Sequence, residues 1–205
     1  MKAPDLRRRP STDGLLLVAA MAALMWVLEI GDAILPGSLD RFGIRPRDAD
    51  GLGGIVAAPF LHGGFGHLIS NTVPFLAMGA VIALGGLVRV LAVTGIVAAV
   101  SGVGVWLFAG SNTITIGASG VVFGYATYLI ARGFFDRRPL HLGVGVLVGL
   151  IWGGALLGGL LPEPGISWQA HLFGAVGGVL AARTLAAKRG ERGASPHGEA
   201  PVPSY

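Results

Sequence analysis

The chain has 205 residues, of which 53% are hydrophobic and only 13% charged, about half the charged fraction of an ordinary soluble domain. This composition excludes a soluble globular protein, and the abundance of apolar residues excludes a disordered one. The absence of cysteine excludes disulfides, thiolate metal ligands and a cysteine nucleophile. A formal net charge of +4 does not indicate nucleic-acid binding, because the basic residues lie in short clusters between apolar runs. The sequence therefore predicts an integral membrane protein whose surroundings are the lipid bilayer.

Six apolar runs are candidates for transmembrane helices. A bilayer core of about 30 Å needs roughly 20 helical residues, and all but the fourth run are close to this length. We predict an all-α, polytopic six-helix bundle over residues 14–187, preceded by a short segment, 1–13, and followed by a disordered tail, 188–205. The six runs are Gly14–Leu35, His67–Gly86, Arg89–Ala109, Ser119–Ala131, Leu140–Leu161 and Trp168–Ala187.

The distribution of basic residues predicts the orientation of these runs. If both termini are cytoplasmic, 12 of the 15 lysines and arginines lie on the inner side. The other three, Arg41, Arg45 and Arg47, lie in the first outer loop. Cytoplasmic loops carry an excess of Lys and Arg, so the pattern predicts a multi-pass protein of the cell membrane with both termini inside.

The first outer loop, residues 36–66, contains an apolar stretch, Leu52–Leu61, that is too short to cross a bilayer. Such a stretch could enter the outer leaflet if protein sheltered its backbone, or it could form an ordinary interfacial helix. The sequence leaves both interpretations open.

Few strongly polar side chains lie within the apolar runs, and each is costly enough in a membrane to suggest a function. His67 and Asn71 are four residues apart and share one face of the second helix. Ser119 lies where an uncharged loop becomes the fourth run, so it is expected at a helix N-terminus. Free backbone N–H groups there favour the oxyanion formed when a serine attacks a carbonyl. His171 lies in the last run, whereas Glu29, near the outer end of the first, is expected to be solvated.

The helical rise places three of these groups at one depth. Counting about 1.5 Å per residue from the inner boundary puts Ser119, His171 and Asn71 roughly 20 Å above it. That level is some 10 Å below the outer surface of a core about 30 Å thick. The shortness of the fourth run would leave room for water above Ser119. A nucleophile, a base and an oxyanion donor at one level indicate a hydrolase that opens outward.

Helix packing is the competing interpretation of the small residues around Ser119. Gly120 and Gly124 form a pair of small residues four apart, and Gly174 and Gly178 form another. Such pairs let helices in membranes approach closely. The small residues around Ser119 therefore favour packing when they are taken alone. The shared depth of Ser119, His171 and Asn71 is what favours a catalytic site.

A metal-binding protein and a small transporter are the two other functional classes that polar groups within a membrane could indicate. His62, His67 and His171 could bind a metal, but no carboxylate or cysteine accompanies them at ligand spacing, so we predict no metal and no cofactor. A small transporter would more often show repeats or broken helices in both halves, and the sequence has neither.

Three patches of the sequence resemble the rhomboid family of intramembrane serine proteases, in its six-span prokaryotic form. They fall in family order on the second, fourth and sixth runs. The patches are Phe60-Leu61-His62 with His67-Leu68-x-x-Asn71 and Gly79, then Gly117-Ala118-Ser119-Gly120-Val121-Val122-Phe123-Gly124, then Ala170-His171-x-x-Gly174.

The resemblance implies that Ser119 is a nucleophile and His171 its general base, without a third carboxylate. Asn71, His67 and the backbone N–H of Ser119 would form the oxyanion hole. The substrates would be single-pass transmembrane proteins, cut near the outer face of the membrane, and no cofactor would be needed. The alternative is a catalytically weak relative that binds transmembrane helices.

The resemblance also implies roles for two further residues and reveals two departures. His62 would line the outer part of the cavity, and Phe123 would pack on the catalytic base. Many members carry a Trp-Arg pair in the first outer loop, where this loop has no Trp, and a Glu where this chain has Ala83. These departures concern how the first loop is supported.

Overall fold

The computed structural model of the protein describes residues 12–35 and 38–186. The predicted tail and most of the predicted N-terminal segment lie outside these residues. The prediction of a helical protein is confirmed, because the described part contains helices, turns and one isolated β-bridge. Its α-helices are α1 (Thr12–Ile34), α2 (Gly54–Ala57), α3 (Phe65–Ala83), α4 (Leu87–Phe108), α5 (Ser119–Asp136), α6 (Pro139–Gly158) and α7 (Trp168–Thr184).

Four helices, α1, α3, α4 and α6, are long and apolar enough to cross a membrane. The other two long helices, α5 and α7, carry the predicted serine and histidine and are rich in small residues. Helix α5 packs against α3, α4, α6 and α7, so it lies at the centre of the bundle. A helix surrounded by protein needs less hydropathy than one that faces lipid, which accounts for the less apolar sequence of α5. Helix α7, with 17 residues, is also shorter than the other five long helices.

Helix α5 is longer than the sequence predicted. It runs to Asp136 instead of ending at Ala131, so the predicted end of this helix was wrong. Arg132 does not end the helix, because its Nε lies 3.0 Å from an Asp136 carboxylate oxygen one turn later. That oxygen also lies 2.9 Å from Nδ1 of His141 on α6. The helix ends at Arg137, which adopts a left-handed conformation with φ of 50°.

Glycines bring α5 and α7 into backbone contact. A Cβ atom on Gly174 would collide with the carbonyl oxygen of Gly120, and one on Gly178 with the carbonyl oxygen of Gly124. The packing interpretation of these four residues is therefore confirmed. It does not compete with the chemical one, because this approach is also what brings the helices of Ser119 and His171 together.

Helix α1 packs on α3. A Cβ atom on Gly79 would lie 2.8 Å from a methyl group of Val18, and Trp26 Nε1 donates a hydrogen bond to Thr72 Oγ1 at 3.1 Å. Glu29 is buried, with 6% exposure, so its expected solvation was wrong. Its carboxylate interacts with the backbone of Gly64, directly before α3.

The first outer loop is fastened to the end of α4 without a tryptophan of its own. Trp106 of α4 donates from Nε1 to the carbonyl oxygen of Asp48 at 2.9 Å. The guanidinium of Arg47 donates to the carbonyl oxygen of Leu107 at 2.9 Å and to Ser111 Oγ at 2.6 Å. A tryptophan and an arginine thus support the loop from different segments of the chain.

The apolar stretch of this loop folds into short helical turns. Helix α2 lies between the 3₁₀ turns Ala49–Gly51 and Ala58–Phe60. Ile55 packs on α4 so closely that a Cβ atom on Gly102 would lie 2.6 Å from its Cγ2. Protein thus shelters one side of the stretch, while Val56 is 74% exposed. This packing is compatible with either interpretation of the stretch.

Candidate active site

A cavity of about 1370 Å³ lies at one end of the bundle. Its walls come from the first turns of α3, α5 and α7, from the last turn of α6 and from the loop after α4. The arginines at the other ends of α4, α5 and α7, namely Arg89, Arg132 and Arg183, mark the opposite side of the bundle. The cavity therefore opens at the end that is poor in basic residues.

The structure brings Ser119 and His171 into direct contact on the wall of this cavity. Ser119 is the first residue of α5, as predicted, and its Oγ lies 2.8 Å from Nε2 of His171. The start of α7 is fixed one turn before the histidine, where Ser167 Oγ accepts a hydrogen bond from the backbone N–H of Ala170. A hydroxyl at this distance from an imidazole nitrogen is the arrangement of a nucleophile and its base.

The carbonyl oxygen of Gly159 sets the tautomer of His171. It lies 2.7 Å from Nδ1 of the ring. A carbonyl can only accept a hydrogen bond, so Nδ1 carries the proton and Nε2 is free to accept from the Ser119 hydroxyl. This partner could not be predicted from the sequence, because every residue has a backbone carbonyl and only the fold selects one.

Phe123 and Gly159 hold the imidazole in place. The rings of Phe123 and His171 stack with centroids 4.1 Å apart and planes inclined by 7°. A Cβ atom on Gly159 would lie 2.5 Å from Cζ of Phe123 and 3.0 Å from Nδ1 of His171. The structure therefore places Phe123 beside the histidine, as predicted. Gly159 has no side chain, which leaves room for the two stacked rings.

This crowding leads to a prediction for two neighbouring glycines. Gly159→Ala should displace the imidazole and slow turnover by about tenfold to hundredfold, since small misplacements of reacting groups have effects of this size. Gly158→Ala is the matched control, because a Cβ atom there has no neighbour within 4 Å. Initial rates with a cleavable membrane substrate would compare the two. Equal rates for both variants would contradict the role assigned to Gly159.

Asn71 and His67 line the same cavity as Ser119. Asn71 is buried, with 4% exposure, and one N–H of its amide donates to the carbonyl oxygen of His67 at 2.9 Å. An amide nitrogen has two N–H groups, so a second donor remains for a ligand. The two residues thus stand near the nucleophile with hydrogen-bond donors available, as their spacing on one helix face predicted.

Gly117 leaves room for the ring of His67. A Cβ atom on Gly117 would lie 2.6 Å from Cε1 of the His67 ring. Gly117 also has φ of +112°, a conformation that L side chains rarely adopt. Both features require glycine two residues before Ser119.

His62 does not line the cavity, in contrast to the expectation from sequence. It is buried, with 2% exposure, and its Nε2 accepts a hydrogen bond from the backbone N–H of Ala118 at 3.4 Å. Its ring meets the edge of the His67 ring with centroids 5.1 Å apart. His62 therefore helps to position the turn that carries Ser119, through its hydrogen bond to the residue directly before the serine.

Ser101 of α4 is a polar contact beside the site that the sequence analysis missed. Its Oγ donates to the carbonyl oxygen of Ala170 at 2.9 Å in the buried interior, directly before His171 in the chain. A polar residue in a long apolar run was the available signal. Within residues 12–35 and 38–186, no three His, Cys, Asp or Glu side chains are grouped closely enough to hold a metal ion.

The fold and the cavity define a helical membrane protein with a serine–histidine pair at one end of its bundle. The family model described as Rhomboid domain matches residues 50–188. The chain is 40% identical over 178 residues to uncharacterized proteins of Mycobacterium tuberculosis and Mycobacterium bovis, a match that covers 83% of this chain and 74% of each relative. An uncharacterized protein of Mycobacterium leprae is 41% identical over 179 residues, covering 83% of this chain and 70% of its own. The chain belongs to the rhomboid family and is a polytopic membrane protein, which confirms the resemblance found in the sequence.

Proposed function

We propose that the protein is an intramembrane serine endopeptidase that cleaves single-pass membrane proteins near the outer face of the membrane. The observation that carries this proposal is the 2.8 Å contact between Ser119 Oγ and His171 Nε2. The Nδ1 proton of that histidine is held on the Gly159 carbonyl. Family membership supports the same conclusion, since rhomboid proteins are generally intramembrane serine proteases.

The reaction begins with proton transfer within the dyad. As Ser119 Oγ attacks the carbonyl carbon of a peptide bond, its proton passes to Nε2 of His171. The imidazolium is stabilised by the hydrogen bond from Nδ1 to Gly159 and by its stacking on Phe123. His171 then gives the proton to the leaving amine, which breaks the C–N bond and leaves an acyl ester on Ser119. A water molecule activated by the same Nε2 hydrolyses the ester.

Negative charge develops on the substrate carbonyl oxygen during both additions. The free amide N–H of Asn71, the imidazole of His67 and the backbone N–H of Ser119 are the donors available to it. The N-terminus of α5 adds its dipole, which favours negative charge at this point. No metal or organic cofactor takes part in these steps.

The substrate must present an extended peptide bond. A transmembrane helix uses its carbonyl groups in its own hydrogen bonds, so the segment to be cut has to unwind before Ser119 can attack it. The cavity is lined largely by apolar side chains around the polar dyad, which suits an unwound transmembrane segment. We therefore propose transmembrane proteins as the substrates.

We further propose six spans in the cell membrane, with both termini cytoplasmic and the cavity facing outward. A cysteine introduced by Ser119→Cys in this cysteine-free chain should react with a membrane-impermeant thiol reagent added from outside. A cysteine introduced by Val97→Cys, at a fully buried position of α4, should stay unreactive from both sides. Reaction of the cysteine at position 119 from the cytoplasmic side alone would contradict this topology, because the cavity would then face the cytoplasm.

Cleavage of defined substrates tests the proposed function. Purified protein in proteoliposomes would be incubated with a panel of tagged single-pass membrane proteins, and the products would be mapped by mass spectrometry. We expect at least one member to be cut near its outer boundary, and the Ser119→Ala variant to leave it intact. Capture of panel members without any cleavage by the wild type would instead indicate a helix-binding relative.

A further inference from the structure

A rigid turn stands on the rim of the cavity between α6 and α7. The backbone N–H of Ile166 donates to the carbonyl oxygen of Glu163 at 3.1 Å. Pro164 and Gly165 occupy the two central positions, and Gly165 has φ of +79°. This is a type II turn, which proline at its second position and glycine at its third both favour. The turn holds Glu163 at a fixed place on the rim.

Among the described residues that line the cavity, Glu163 is the one carboxylate, and none is a lysine or an arginine. In the part of the chain that the structure describes, no ion pair joins Glu163 to a basic side chain. The first outer loop offers no net compensation, because its three arginines are balanced by three aspartates, Asp40, Asp48 and Asp50. The rim of the cavity therefore carries an unneutralised negative charge.

Glu163 lies close to the dyad along the chain. It comes four residues after Gly159, whose carbonyl contacts His171. Four residues span at most about 14 Å, so the backbone of Glu163 lies within this distance of Gly159. An extended peptide advances about 3.3 Å per residue. A substrate residue within roughly six positions of the cut bond can therefore reach the carboxylate of Glu163.

We propose that Glu163 is a specificity subsite for a basic side chain, lysine or arginine, close to the cleaved bond of the substrate. This inference rests on the proposed protease function. The ion pair would form at an exposed rim, where such pairs contribute modestly, so the expected preference for a basic over a neutral residue is about two- to fivefold in kcat/KM. The subsite selects among substrates and takes no part in bond breaking.

A matched substrate series tests the subsite. A single-pass protein that the enzyme cuts would carry Lys, Gln or Glu in turn at each position up to six residues on either side of the bond. At one position or more, wild-type kcat/KM should fall in the order Lys, Gln, Glu. The ratio of Lys to Glu substrates should approach one in Glu163→Gln and invert in Glu163→Lys. The control is Asp50→Asn, which removes a charge from the outer loop, away from the cavity lining, and should leave the ratio as in wild type.

Ionic strength separates a charge effect from a structural one. A preference carried by an exposed carboxylate should shrink as salt is raised, because the Debye length falls from about 10 Å at 0.1 M to about 3 Å at 1 M. Equal cleavage of all substrates by the wild type, or a preference that persists in Glu163→Gln, would overturn the subsite and leave the protease intact. Failure to cut any substrate would overturn the protease and the subsite with it.

Discussion

Replacing Ser119 or His171 with alanine is expected to abolish cleavage, with kcat falling at least about 10⁴-fold. The two side chains share one hydrogen bond, so the loss of either leaves no pair of nucleophile and base. Because they act as a unit, the double variant should be little worse than either single one. Product formation from a cleavable substrate in proteoliposomes measures all three variants.

Thermal unfolding in detergent is the control for this comparison. Ser119 and His171 contribute mainly to the site, so the variants should unfold at temperatures close to that of the wild type. A single variant that folds normally and keeps more than about one per cent of wild-type kcat would contradict the dyad, since loss of such a residue removes far more.

Asn71→Ala is expected to lower kcat by about 10²–10³-fold with little change in KM. The amide makes one hydrogen bond within its own helix, to the His67 carbonyl, and its second N–H is available for the oxyanion. That charge exists only after attack, so the lost interaction belongs to the transition state and not to substrate binding. Steady-state kinetics on one substrate separates the two parameters.

Asn112→Ala is the matched control for Asn71, because Asn112 lies in the loop after α4 and outside the cavity lining. The same chemical change there should leave both parameters near their wild-type values. A large rise in KM at unchanged kcat for Asn71→Ala would assign this side chain to substrate positioning instead.

The sequence predicted the elements of the site whose signal is local. A helix begins at Ser119 because a glycine-rich loop ends there. His67 and Asn71 share a face because they are four residues apart. The small residues of α5 and α7, which also suggested packing, proved to be the means by which two distant segments meet. Polar residues were recognisable because the surrounding runs are apolar.

The features that the sequence did not predict depend on tertiary contacts. The carbonyl of Gly159 orients His171, yet nothing in the sequence distinguishes that carbonyl from any other. His62 is separated from Ala118 by more than fifty residues, and only the fold places it beneath the turn. Trp106 of α4 binds the first outer loop, which has no tryptophan of its own, and this contact is visible only once the loop is seen packed on α4.

The end of α5 is another feature that the sequence did not predict. Hydropathy suggested that the helix ends before Arg132, because an arginine inside an apolar run is costly. The structure offsets that cost with the carboxylate of Asp136, one turn later, which also lies close to His141 on the adjacent helix. An ion pair within a helix is compatible with its continuation, so α5 extends further along the chain than the charge pattern indicated.

Labelling with a fluorophosphonate probe tests, without a known substrate, whether His171 activates Ser119 as a nucleophile. Such a probe phosphonylates a serine oxygen when a neighbouring base removes its proton. Intact protein in detergent would be labelled, digested and mapped by mass spectrometry. We expect one adduct on Ser119 in the wild type, none in Ser119→Ala, and strongly reduced labelling in His171→Ala. An adduct on another serine, or equal labelling of Ser119 with and without His171, would contradict this activation.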